Sequence, residues 1–167
     1  MGQLSNDANL IAYTPDRPLT VNDFIAIPDE LSRAAAQTAS AIAVKYSSSV
    51  DSGQIKVLVT IMPYFDRSRS WFLEKYQTNP TILKHEQGHF DISALKACEL
   101  VDTLRQQQLT KEHYQEKLEH IQAQKQRELN NMQTLYDNET RHGTNVPTQQ
   151  KWDKLLKEML ASRSCYK

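Results

Sequence analysis

Residues 83–93 read "LKHEQGHFDIS", with His85 and His89 four apart and Glu86 directly after the first histidine. Wound at about 100° per residue, two helical positions four apart lie roughly 40° apart around the axis. Both imidazoles can then reach one ion above the helix surface. Neutral imidazole is a good zinc ligand, and zinc prefers tetrahedral coordination. The glutamate in this pattern is no ligand. It leans beside the ion, where it can take a proton from a bound water whose pKa the metal lowers towards ~7. Such a water attacks a polarised carbonyl, and the same glutamate can pass the proton to a leaving amine.

At this chain's His and Glu content a chance H-E-x-x-H arises in about one such chain in a hundred, so spacing alone does not decide the matter. Three local features add weight. The motif lies inside a helical pattern. Its histidines avoid the apolar stripe of that helix. Gly88 is the only glycine between Gly53 and Gly143. A glycine costs about 1 kcal/mol inside a helix, and it admits something close to the helix surface at that point.

A catalytic zinc usually has three protein ligands and an open position. His113 and His120, seven apart in a charge-dense stretch, read as surface histidines. "YDNETRHG" (136–143) is the better source, with Tyr136, Asp137, Glu139 and His142 packed before Gly143. An antiparallel second helix returns this cluster to His85 and His89. His142 is the first choice as third ligand, with Asp137 and Glu139 as alternates. Residues not used as ligand would orient the histidines, and Tyr136 could donate to an oxyanion.

The elements that must position these residues divide the chain in two. Five of the six prolines lie at or before Pro80, with most of the strand-like patterning. "AIAVKYSSSV" alternates, and "QIKVLVTIMPYF" is apolar on both sides, which predicts a more buried strand. Asp51-Ser52-Gly53 between them marks a hairpin. "LTVNDFIAIPDELSRAAAQ" fits either a short strand or a helical turn. Asn79-Pro80 is an N-cap followed by proline at the first helical position, starting a helix that runs to about Gln106. Its core stripe is Leu83, Phe90, Ala94, Ala97, Val101 and Leu104. His85 and His89 fall on another face, and Glu86 on the boundary between the two. Thr110 can cap a second helix over about 111–137, and Pro147 can start a third. The class is α+β: a small antiparallel or mixed sheet on the motif helix, then a long antiparallel helix and a C-terminal helix.

The length of 167 residues suits one domain, placed at 18–162 between tails at 1–17 and 163–167. Net charge is zero and no basic block is present, which speaks against nucleic acid. No apolar run is long enough to span a bilayer. The N-terminus has neither a secretory signal pattern nor the myristoylation pattern. Two cysteines, Cys98 and Cys165, show no zinc spacing and read first as unpaired. One disulfide tying the C-terminal tail to the Cys98 helix is the alternative.

"ILKHEQGHFDIS" resembles the bacterial family catalogued as domain of unknown function 922, regarded as zinc-dependent proteases among the zincin-like metallopeptidases. "LTVNDF", "AAAQTASAI", "RSRSW", "YDNETRHG" and "QQKW" are similar to other pieces of that family, over about residues 18–155. Val21 stands where many members have tryptophan. The resemblance implies a small zincin fold, zinc at His85 and His89, and Glu86 as catalytic base. Export of many relatives implies a periplasmic or secreted protein whose signal has been removed, with a cytoplasmic one as the alternative. The first functional expectation is therefore a zinc metallopeptidase acting on a peptide or protein. A catalytically inactive zincin-like binding or structural protein is the runner-up, and a helical interaction module the weakest reading.

Overall fold

The computed structural model describes residues 7–32, 34–110, 112–163 and 165. The chain is α+β. Strands β1 (Leu10–Ala12), β2 (Ala36–Gln37), β3 (Ser40–Asp51), β4 (Gln54–Asp66) and β5 (Trp71–Phe72) precede helices α1 (Pro80–Arg105), α2 (Tyr114–Thr140) and α3 (Val146–Ala161). One antiparallel sheet has the order β1-β4-β3, and β2 pairs with β5 in a second. The expected hairpin is β3–β4, in register from Ser40↔Phe65 to Asp51↔Gln54. Its two-residue turn places Ser52 at φ 51° and Gly53 at φ 80°, the pair of positive φ angles that keeps the flanking strands at their natural twist.

The hairpin is less buried than its sequence suggests. Only the second half of β4 enters the core, through Pro63 and Phe65. Towards the turn Tyr46, Val50 and Leu58 are exposed, Leu58 at 70%. On the outer half one face of β4 (Lys56, Leu58, Thr60) is exposed and the other (Ile55, Val57, Val59) only half-buried, with Tyr114 of α2 reaching Tyr46 and Ser48 of β3. The ambiguous stretch after Leu19 holds both of the forms considered: a 3-10 turn at Val21–Asp23, and then β2.

Helix α1 starts as its cap residues require, with the Asn79 side chain accepting from the Thr81 N–H and proline in the first turn. It is buried on two sides. Phe90 joins Leu19, Phe24, Ala36, Phe65 and Phe72 in a core against the strands. Ile92 and Leu95 join Leu129, Tyr136, Trp152 and Leu156 in a second core against α2 and α3. The histidine face, polar by sequence, is thus an interior face. Contacts of α1 residues 85 and 89 with α2 residues 137 and 133 show that the two helices run antiparallel.

Four boundaries differ from expectation. Helix α2 begins at Tyr114 with His113 as its cap rather than at 111 under Thr110, whose carbonyl instead closes a turn on His113 and Tyr114. It runs on to Thr140, where the Thr140 hydroxyl donates to the Tyr136 carbonyl. The N-terminal tail ends early. From Leu10 the chain is sheet, pairing with Tyr64–Asp66, and Leu19 N–H donates to Gln87 on α1. The C-terminal segment is also held. Arg163 pairs with Asp102 and Glu99, and Cys165 is in a disulfide with Cys98. The reading of two unpaired cysteines is therefore corrected: α3 brings the tail back along α1. Among the described residues, no helix is long and apolar enough to cross a membrane.

Candidate metal centre

His85 and His89 project from α1 towards α2, where Asp137 stands opposite them. The His85 Nε2 lies 3.1 Å from the Asp137 Oδ1, and the His89 Nε2 lies 3.0 Å from the same oxygen. The two Nε2 atoms are 3.2 Å apart. Donor atoms each about 2.0 Å from a tetrahedral zinc lie about 3.3 Å from one another. The three atoms therefore form one face of a zinc-sized tetrahedron.

The protons on these rings are committed elsewhere. Gln133 donates its amide N–H to the His89 carbonyl at 2.9 Å, which turns its amide oxygen towards the His89 Nδ1. Gln149 on α3 donates to the Asp153 carboxylate and the Tyr136 hydroxyl, which turns its oxygen towards the His85 Nδ1 at 3.1 Å. Each Nδ1 must donate to its glutamine. In the neutral rings both Nε2 lone pairs then face each other and a carboxylate oxygen. Three acceptors at such distances repel unless positive charge lies among them. The local electrostatics agree. Burial works to raise the Asp137 pKa, but the His85 and His89 hydrogen bonds and charges hold it well below the usual carboxylate range. Burial works to lower that of His89, yet Asp137 and Glu86 raise it.

His142 comes to the same place from the turn after α2. Its Nδ1 is 3.5 Å from the Asp137 Oδ1, while its side chain is 70% exposed. His85, Asp137 and His142 form a group whose ligand atoms could hold a metal ion. His89 lies outside that particular grouping, although its Nε2 is nearer to Asp137 than the His142 ring is; the short distances place it with His85 and Asp137. Of the third-ligand candidates, the structure thus brings Asp137 into the centre and His142 to its rim. Glu139 turns away, its carboxylate accepting from the Trp152 indole at 2.8 Å. His113, the cap of α2, and His120 on it are exposed and far along the chain from the site.

Glu86 is buried, 4% exposed, and its Oε2 has no hydrogen-bond partner. Leaving such an oxygen unpaired costs about 1–3 kcal/mol or more for a charged group. Unpaired buried groups of this kind are rare in folded proteins, and a catalytic role is one recognised reason for keeping one. It stands one residue from the first histidine, as a base beside a reacting water would.

Tyr136 does not supply an oxyanion donor. Fully buried, its ring stacks on His85 with centroids 4.7 Å apart, and its hydroxyl donates to the His85 carbonyl at 3.1 Å. It is a wall against which the His85 ring rests. Gly88 makes room for it: a Cβ there would lie 2.2 Å from the tyrosine oxygen. Gly143, at φ 78°, lets the following turn close on His85, 2.9 Å from where its own Cβ would be. Just before it, Arg141 and His142 both adopt the left-handed conformation at φ 51°. That conformation costs a non-glycine residue about 1–2 kcal/mol.

Gln133 and Gln149 were not singled out from sequence. Gln133 precedes Asp137 by four residues, matching the spacing of His85 and His89 on the facing helix. That signal is lost among the other glutamines of α2. Gln149 lies in a string similar to the family noted above, but nothing local ties it to a histidine 64 residues away. No protein-family model matches the chain, and no curated protein or solved structure shows significant similarity to it.

Proposed function

We propose that this protein is a zinc-dependent metallopeptidase of zincin-like type, with His85, His89 and Asp137 as ligands, His142 at the rim of the site, and Glu86 as general base. One observation carries the reading. Two imidazole lone pairs and a carboxylate oxygen meet at 3.0–3.2 Å, with both Nδ1 protons held by glutamines. Such a donor set suits zinc, because neutral nitrogen and carboxylate oxygen in a tetrahedral face are its common protein ligands. The ion would supply Lewis acidity to a water and to the scissile carbonyl.

The remaining work falls to the chain. Gln133 and Gln149 fix both imidazoles as Nδ1 tautomers, so that the Nε2 atoms are available as ligands. Tyr136 holds the His85 ring plane. Glu86, with a buried oxygen free of other bonds, takes a proton from the attacking water and delivers it to the leaving amine. The resemblance of the HEQGHFDIS stretch to zinc-dependent proteases points the same way. The Cys98–Cys165 disulfide favours an oxidising compartment and so a periplasmic or secreted location.

The test pairs elemental analysis of the purified protein with cleavage of a peptide library. One zinc per chain and hydrolysis that disappears in Glu86→Gln, with the metal retained, are expected. Equal hydrolysis by Glu86→Gln would show that this glutamate is not the base. A protein that takes up no zinc would remove the basis of the reading.

A further inference from the structure

The left-handed pair Arg141–His142 borders a cleft of about 690 Å³ between the turn after α2, the start of α1 and Ser32, Ala34 and Ala35. Its volume is typical of a ligand site. His142, at the rim of the metal centre, also lines the cleft, so the cleft opens next to that centre. Tyr76, Ile82 and Val146 give it apolar walls, and no acidic side chain lines it among the described residues. Arg141 is exposed, and its guanidinium makes no hydrogen bond or ion pair with the described residues.

The position of Arg141 is costly for an arginine. It is the residue that ends α2, at φ 51° and ψ 53°, where glycine or asparagine is the usual occupant. A strained conformation kept by a charged residue at the mouth of a site is a mark of function. Arginine offers a planar fork of donors that matches a carboxylate.

Building on the peptidase reading, we propose that this cleft selects a carboxylate of the substrate, with Arg141 as its partner, next to the bond held at the metal centre. The carboxylate belongs to an Asp or Glu side chain or to the free C-terminus of a peptide. Arg141 is then a specificity residue and takes no part in the bond-breaking step.

The test is binding without turnover. Zinc-loaded Glu86→Gln protein is titrated with fluorescently tagged peptides, degenerate except at one position that carries Glu, Gln or Lys, with amidated C-termini. A fourth set carries Gln and a free C-terminal carboxylate, which separates the two sources of the charge. Carboxylate peptides should bind about two- to fivefold tighter than the Gln amides, the upper range of an exposed ion pair. Adding Arg141→Glu should invert the order in favour of Lys. Adding Arg141→Gly should abolish the preference while raising Tm, because the left-handed residue is then unstrained. Equal binding of Glu and Gln peptides, an order unchanged by Arg141→Glu, or no binding of any carboxylate peptide to stoichiometrically loaded protein would each overturn the proposal. Carboxylate preference in this assay, with no cleavage by the protein carrying Glu86, would support the cleft assignment and defeat the peptidase reading.

Discussion

Replacing Gly88 with alanine puts the packing of the site to a direct test, because two ordinary expectations oppose each other there. In an unremarkable helix interior the change gains about 1 kcal/mol. Here the new Cβ would lie 2.2 Å from the Tyr136 Oη and 2.6 Å from its Cζ. Relieving that overlap requires the ring to retreat by roughly 1 Å or more, since non-bonded heavy atoms settle near 3.5 Å. The ring has nowhere to go. It is stacked on His85, set edge-on to Trp152 at 5.3 Å, and tied by its hydroxyl to the His85 carbonyl and to Gln149. Overpacking of this kind costs about 1–3 kcal/mol, and disturbing a buried hydroxyl adds about 1–3 more. Set against the helical gain, the net loss spans about 1–5 kcal/mol, about 3 kcal/mol at its middle. For a chain of 167 residues the middle of that range corresponds to a fall in Tm of about 6–12 °C. The measurement is thermal unfolding of chelator-treated protein, so that lost metal does not contribute. In a Tyr136→Leu background the same substitution should cost much less, and the double-mutant cycle should report the coupling. A Gly88→Ala protein as stable as the parent, or more so, would refute the reasoning.

The ligand assignment predicts an order of effects: His85→Ala and Asp137→Ala should each lose stoichiometric zinc, while His142→Ala should lose affinity without losing the site. Elemental analysis after dialysis decides it, and full zinc in Asp137→Ala with none in His142→Ala would reverse the assignment. Gln133→Leu removes the acceptor for the His89 Nδ1 and should weaken zinc binding about 10–100-fold, read by competition with a chromophoric chelator; unchanged affinity would show that the tautomer is fixed by something else. Cys165→Ser opens a loop spanning 67 residues and should lower the unfolding free energy by about 2–4 kcal/mol, and a urea midpoint equal to that of the parent would show that the tail is not tied in solution.

Local chemistry in the sequence determined a good deal. The Asn79-Pro80 pair fixes where α1 begins, because a capping side chain and a residue without an N–H both suit a helix start. Ser52-Gly53 fixes the hairpin, because few residue pairs tolerate two positive φ angles. The spacing of His85, Glu86 and His89 places two imidazoles on one helical face beside a carboxylate. Gly88 signals a close approach there, though not by what. All of these depend on bonds and contacts within a few residues.

What only the tertiary structure decided depends on packing across the chain. The histidine face of α1 reads as polar, yet α2 and α3 bury it. Polar side chains can line an interior when they satisfy one another, and periodicity cannot show that in advance. Which of Asp137, Glu139 and His142 stand near the histidines follows from the rotation of α2 and the turn after it. That rotation points Asp137 at the histidines and sends Glu139 to Trp152 on α3. Tyr136 has the right chemistry for an oxyanion donor, but the space opened by Gly88 draws it under His85. Gln133 and Gln149 become significant only when antiparallel packing and the return of α3 bring their amide oxygens to two ring nitrogens. The outer half of β4, apolar on both sides, keeps one face exposed and the other only half-buried, because packing against it is slight. Spacing along the chain determines which groups a helix presents, and the neighbouring helices determine which of those groups meet.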